Sequence, residues 1–266
     1  MFIDFHTHGK LAKKLPFSTE YTDWLLKEAK AAGLDAICLT EHFNTLQFDE
    51  LYEYLIKNCE RDGDTLCTKD GLHIFAGMET DISESGHVLS IGAPEVILEL
   101  NARMESYKNR GEFLPFEKLM DLLEQYPVIT GAGHPFREGG QIPNLPLEQL
   151  RRLHFLDLNG KDVALNRKYF EEKTKELAEK LEIPMVSGSD THQALQYGCI
   201  RTNMYKTVTE VEELYKEIKQ KNYGIVVSSN AAFQVKTAGL LKRTLKEIHG
   251  LGGNYVSVLT SEINDQ

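Results

Sequence analysis

The sequence predicts an α/β protein whose mostly parallel strands close, or nearly close, into one barrel. Three observations carry that expectation. Short apolar runs of strand length alternate with amphipathic stretches of helix length, the order that builds βαβ units. The chain has 266 residues, near the length of about 250 at which an α/β barrel forms as one unit. Histidines and acids stand directly after several of the apolar runs, at the strand ends where barrel sites are built. No internal repeat, low-complexity tract or Ser/Pro/Gly-rich linker divides the chain, so a single domain over residues 1–266 is expected.

The elements follow in order. Phe2 to Phe5 reads as the first strand, and Thr19 to Ala32 as a helix that stops at Gly33, the residue type suited to a left-handed C-terminal position. Asp35 to Thr40 is the second strand, and a helix around Phe48 to Cys59 follows it. Leu72 to Met78 and His87 to Ile91 supply the third and fourth strands. Helices near Glu95 to Lys108 and Pro115 to Gln125 precede a strand at Val128 to Thr130. Phe155 to Leu158 is another strand, Arg167 to Leu181 an amphipathic helix, and Pro184 to Val186 a further strand. A helix from Thr209 to Gln220, a strand from Gly224 to Ser228 and a helix from Ala231 to Ile248 complete the pattern.

Composition narrows the function. Hydrophobic residues at 41% and charged residues at 26% are ordinary for a soluble globular protein. No apolar run approaches the roughly 18 residues of a membrane span. Met1 to His6 lacks a basic segment leading into an apolar one, so no signal peptide is read there and a cytoplasmic location is expected. The formal net charge of -10 argues against long nucleic acid or an anionic membrane as a partner. A small phosphorylated substrate stays open, because bound metal ions reverse the local sign. Cys38, Cys59, Cys67 and Cys199 form no C-x-x-C pair and read as free thiols in a reducing compartment.

Eight residues are candidate metal ligands: His6, His8, His42, Glu79, His87, His134, Asp190 and His192. His6 and His8, at i and i+2 after the first strand, share one face of an extended segment. Glu41 and His42 follow the second strand, Glu79 follows the third, His87 opens the fourth, and His134-Pro135 follows Val128 to Thr130. Asp190 and His192 repeat the i, i+2 spacing after Pro184 to Ser187. A lone histidine at a strand end is ordinarily a turn residue bonded to its neighbours. His-x-His at one strand end and Asp-x-His at another point instead to ligation, and the mixed donors suit Zn, Mn or Fe. His73, His154 and His249 read as structural, the last as a cation near a helix C-terminus.

Asp4-Phe5-His6-Thr7-His8, Leu39-Thr40-Glu41-His42, Gly77-Met78-Glu79, Gly133-His134-Pro135-Phe136 and Ser187-Gly188-Ser189-Asp190-Thr191-His192 resemble the ordered motifs of the PHP (polymerase and histidinol phosphatase) family. The resemblance runs from Met1 to about Ser228. It implies a distorted (βα)7 TIM-like barrel with two or three divalent ions (Zn, Mn or Fe) and hydrolysis of phosphoesters. Carried over motif by motif, His6, His8, Glu79 and Asp190 hold one ion, Glu79 bridges to a second held by His87 and His134, and His42 and His192 contribute to a third. The chain departs from the pattern in two places. Gly9 to Leu15 lacks the histidine that trinuclear members carry there, and Glu41 stands where the family often has Asp, as ligand or as support.

Two ions about 4 Å apart can lower the pKa of a bridging water and offset charge at phosphorus. The expected activity is hydrolysis of a small phosphorylated substrate, a monoester such as histidinol phosphate or a nucleotide phosphoester. Arg137, three residues after His134, is the candidate to grip a phosphate oxygen, and Asp190 or His192 the candidate to protonate the leaving oxygen. Asp4 reads either as an acceptor for a ligating histidine's N–H or as a strand-end cap. Lys10, Lys13 and Lys14 flank the expected mouth, where they could attract an anion but read rather as a solvated basic turn, and Gly139-Gly140 reads as a flexible loop. No P-loop, dinucleotide fingerprint or nucleophile elbow occurs. The alternatives are an amidohydrolase-type enzyme, for which Glu79 and His87 occupy the mid-barrel where a carboxylated lysine is wanted, and a non-catalytic metal-binding module.

Overall fold

The computed structural model describes residues 1–260. Eleven strands among them form one sheet. In chain order they are β1 (Phe2–Thr7), β2 (Ala36–His42), β3 (Glu60–Asp62), β4 (Thr65–Cys67), β5 (His73–Asp81), β6 (His87–Gly92), β7 (Ile129–Gly133), β8 (Phe155–Asn159), β9 (Met185–Gly188), β10 (Ile200–Met204) and β11 (Tyr223–Val227). The main path runs β11-β10-β1-β2-β5-β6-β7-β8-β9. Its far end returns to β1, where Asp190 N–H donates to His6 O at 2.7 Å and His8 N–H to Thr191 O at 3.0 Å. The sheet is therefore a nearly closed barrel. Helices α1 (Thr19–Ala31), α2 (Phe48–Asn58), α3 (Pro94–Arg103), α4 (Phe116–Leu123), α5 (Leu147–Leu150), α6 (Gly160–Leu181), α7 (Val211–Lys219) and α8 (Ala231–Gly250) join the strands or close the chain.

The sheet is mixed where the sequence suggested a parallel one. β1-β2, β2-β5, β7-β8 and β8-β9 are parallel, but β6 is antiparallel to both β5 and β7. The physical reason is the connection: Ile82 to Gly86 is a turn, and a parallel partner needs a crossover of a dozen or more residues. Two further pieces escaped the sequence reading. The β3-β4 hairpin is short and mostly polar, and β10 alternates buried and half-exposed residues too briefly to register as an apolar run. The helix expected from Arg167 begins at Gly160 and is broken at Asn166, whose φ of -155° is not helical. The one expected to reach Lys108 ends at Arg103.

Alternation along the strands divides the barrel interior into an apolar floor and a polar top. Ala36 and Cys38 of β2, Phe75 of β5, Leu89 and Ile91 of β6, Phe155 of β8 and Val186 of β9 pack as one buried cluster with Ile3 and Phe5 of β1. Two or four residues further along the same strand faces come His42, Glu79, His87 and Asp157. The strand period thus aims all four into the space above the floor. β1 reaches the same result through an irregularity. Its register with β2 shifts between Asp4 and Thr7, and this β-bulge turns His6 to the side that Ile3 and Phe5 occupy below it.

Glycine makes the closure possible. A Cβ on Gly188 would lie 2.3 Å from His6 Cβ and 2.7 Å from His6 N, so β9 approaches β1 only without a side chain there. Gly188→Ala should cost about 1–3 kcal/mol by overpacking and lower the melting temperature by several degrees. Gly239→Ala on α8, where a Cβ meets nothing within 4 Å, should leave it unchanged or raise it. Thermal unfolding followed by circular dichroism makes the comparison.

Candidate metal centre

The carboxylate of Glu79 is the hub of the top layer, with 1% of its side chain exposed. Five histidines reach it. His87 Nδ1 lies 2.5 Å from Oε1, His134 Nε2 3.2 Å and His6 Nε2 3.4 Å. His42 Nδ1 lies 2.7 Å from Oε2 and His8 Nε2 3.5 Å. Asp190 completes the group, its Oδ1 3.2 Å from His8 Nε2 and 3.9 Å from His6 Nε2. His192 stacks on His8 with ring centroids 4.0 Å apart, His42 lies 4.3 Å from His8 and 5.4 Å from His192, and the three rings form one cluster. All eight ligand candidates therefore meet in one place.

The outer nitrogens show how the inner ones are aimed. His6 Nδ1 bonds Asp157 Oδ2 at 2.9 Å, His87 Nε2 bonds Asp81 Oδ1 at 3.1 Å, and His192 Nδ1 bonds the carbonyl of Lys10 at 2.8 Å. Each acceptor takes the outer N–H and turns the other ring nitrogen inward, the arrangement by which proteins orient metal-binding imidazoles. Several inward atoms lack hydrogen-bond partners although fully buried: His6 Nε2, His42 Nδ1 and Glu79 Oε2. The 2.7 Å approach of His42 to Glu79 is thus an ion-pair distance without hydrogen-bond geometry, as for two donors directed at a common point. Three triads have donor atoms mutually close enough to hold one ion: His6, His8 and Asp190; His6, Glu79 and His134; and His8, His42 and His192. His6 and His8 each belong to two of these triads, so the three sets share donors.

Electrostatics follow from crowding. Burial lowers the pKa of His6, but Glu79 and the bond to Asp157 outweigh it and raise it to about 10. His87 is likewise raised to about 10 against burial, by Glu79 and Asp81. Burial pushes His134 down to about 4, and burial with the neighbouring His8 pushes His192 well below the usual histidine range. Without ions, His6 and His87 therefore carry protons that an ion taking those nitrogens would have to displace.

Two of the six non-glycine residues with positive φ among the described residues are ligand candidates. His134 (φ 33°) and Asp190 (φ 54°) both lie in the left-handed region, at about 1–3 kcal/mol each.

Other sequence expectations land differently. Asp4 caps backbone rather than a ring, its Oδ1 accepting the N–H of His6 at 3.2 Å and of Ser189 at 2.8 Å. The residue that accepts the His6 ring proton is Asp157. Lys10 is not part of a solvated turn: it is 2% exposed and its Nζ donates to Thr45 Oγ1 and to the carbonyl of Leu46. Glu41 accepts the N–H of Gly9 at 3.0 Å and of His42 at 2.9 Å, with His8 Nδ1 at 3.6 Å, which makes it a support. Arg137 does reach the site, but its guanidinium is taken by Asp190 Oδ2 (2.6 Å), Asn159 Oδ1 (2.7 Å) and Asp162 Oδ1 (3.1 Å). Lys161, at the start of α6, contacts Asp190 Oδ2 at 2.9 Å. His73 and His154 bond Thr65 and Thr130 within the sheet, away from the centre.

Known proteins share this fold. The sequence pattern of the PHP domain matches residues 4–230. A protein of Acetivibrio thermocellus described as a probable phosphatase is 26% identical over 226 residues, 79% of this chain and 87% of that one. The crystal structure of PsfC from Pseudomonas syringae superposes with a TM-score of 0.73 at 25% identity, covering 92% of this chain and 98% of the other. A lesion-specific endonuclease from Pyrococcus furiosus shares the fold at a TM-score of 0.61 and 17% identity, over 84% of this chain and 57% of its own.

Two outcomes are expected. Asp157→Ala should weaken divalent-ion affinity about 10- to 100-fold while the fold persists, read by competition with a chromogenic chelator. Ion uptake near pH 7.5 should release on the order of two protons per chain, from His6 and His87, so affinity falls as pH is lowered. Calorimetry in buffers of different ionisation enthalpy measures the number.

Proposed function

We propose that this chain, which belongs to the PHP domain family, is a metal-dependent phosphoesterase that hydrolyses a small phosphomonoester. The observation that carries the reading is the Glu79 centre: a buried carboxylate ringed by five inward-facing imidazoles, two of which, His6 and His87, are held from behind by carboxylates. The relative described as a probable phosphatase supports the choice of reaction.

We assign His6, His8, His42, Glu79, His87, His134, Asp190 and His192 as the ligands. Zn, Mn and Fe all suit these donors. Ions so held lower the pKa of a water and offset charge on phosphoryl oxygens.

The remaining chemistry belongs to the protein's own side chains. Arg137 and Lys161 fix the outer oxygen of Asp190, leaving its other oxygen to face His8 and His6. Lys161 has 31% of its side chain exposed, so it can also meet a phosphoryl oxygen at the mouth. Asp157 positions three groups at once, accepting from His6 Nδ1, Asn159 Nδ2 and the N–H of His134. Neither Asp190 nor His192 suits a general acid. Burial raises the Asp190 carboxyl, but Lys161 and Arg137 outweigh it and hold it well below the usual range, while the His192 Nδ1 proton is committed to Lys10.

Turnover of p-nitrophenyl phosphate with added Mn²⁺, Zn²⁺ or Fe²⁺ tests the reading. It should exceed turnover of bis-p-nitrophenyl phosphate and stop with chelator. Faster release from the diester would replace the monoesterase assignment. Lys161→Ala should lower kcat/KM by about tenfold or more, the cost of one charge-assisted bond of about 1.5–3 kcal/mol.

A further inference from the structure

Beside the centre, sharing His87 with it, lies a cleft of about 1000 Å³, at the upper end of the roughly 300–1,000 Å³ typical of small-molecule sites. Four segments line it: the stretch after β1 with Lys13 and Lys14, the stretch after β2 with Asn44, the β5–β6 turn, and the stretch between α3 and α4 with Lys108 and Arg110. The inner wall is the Asp81–His87 pair, bonded at 3.1 Å, and the other nitrogen of His87 lies 2.5 Å from Glu79. A substrate with its phosphoester at the Glu79 centre therefore has this cleft as its adjoining space.

The charge of the lining is the informative feature. The chain carries a net -10, yet Lys13, Lys14, Lys108 and Arg110 face the cleft against the one carboxylate of Asp81. Asp81 is already engaged by Lys13 at 3.0 Å and by His87. Lys108 pairs with an exposed Glu105 at 2.7 Å, an i, i+3 contact of only about 0.3–0.5 kcal/mol that a ligand can replace. Lys14 and Arg110 form no ion pair among the described residues. Cations gathered in a concave, partly apolar wall repel one another and focus a positive field on whatever enters. A neutral leaving group would gain nothing from that field.

We infer that this cleft is a subsite for a second anionic group, so that the substrate carries a phosphate or carboxylate besides the phosphoester that is cleaved. The inference rests on the phosphoesterase reading and specifies its substrate class. Arg110 and Lys14 are the residues assigned to the second anion. The guanidinium matches either oxyanion in a two-pronged contact, and the lysine acts as a mobile point charge.

The test compares glycerol 3-phosphate, 3-phosphoglycerate and fructose 1,6-bisphosphate on the metal-loaded protein, with p-nitrophenyl phosphate alongside. Both doubly anionic esters should exceed glycerol 3-phosphate in kcat/KM by about tenfold or more at low salt, and less at high salt. The preference ratio should fall towards one in a Lys14→Gln/Arg110→Gln variant and largely survive in Arg110→Lys. Preference for the bisphosphate alone, or for the carboxylate alone, would name which oxyanion the subsite takes. Turnover of p-nitrophenyl phosphate without any such preference, or with a preference the double variant keeps, would overturn the subsite and leave the phosphoesterase standing. No turnover of any ester would remove both.

Discussion

An ionised carboxylate with 1% exposure is tolerable in a protein interior only if opposite charge or directed donors surround it. Glu79 meets that condition through five histidines brought from the ends of β1, β2, β6 and β7. Burial raises its carboxyl pKa, yet His87, His42 and His6 hold it well below the usual range. The histidines then conflict with one another. His8, His42 and His192 form a triangle with ring centroids 4.0–5.4 Å apart, and charging all three would set like charges against one another. Some rings are driven protonated and others neutral, within a few ångströms. Divalent ions held here would resolve both problems, taking the lone pairs of the neutral rings and supplying the charge the carboxylates require.

That requirement explains why so much of the barrel is given to support. Asp157 holds His6, Asn159 ties Asp157 to Arg137, and Arg137 reaches Asp190 on the next strand end. The network runs along the tops of β7, β8 and β9 and fixes ligand candidates from both sides of the seam where the barrel closes. Gly188, which lets β9 lie against His6, is the steric counterpart of the same constraint. Left-handed backbone at His134 and Asp190 shows local strain accepted to place two side chains.

Much of this was legible in the sequence because ligation needs rare residues at regular positions. His6 with His8, and Asp190 with His192, stand out by spacing alone, and Glu79 and His87 by following or opening apolar runs. What was missed follows from physical causes. Asp157 sits inside Phe-Leu-Asp-Leu, and the signal was available: strand alternation puts it on the face of Phe155, which is the interior. Lys161 and Asp162 were hidden because α6 was started at Arg167, past the break at Asn166. The antiparallel β6 could have been read from the short turn before it. The burial of Lys10 could not, since only the tertiary fold brings Thr45 and Leu46 to its ammonium.

The account depends on ions answering the charge conflict around Glu79, and their stoichiometry is the direct test. Elemental analysis of protein loaded with Mn²⁺, Zn²⁺ or Fe²⁺ and then desalted should find two or more ions per chain, and at least one fewer in Glu79→Gln. A wild-type chain that retains no divalent ion under any of these conditions, while staying as stably folded as before, would contradict it.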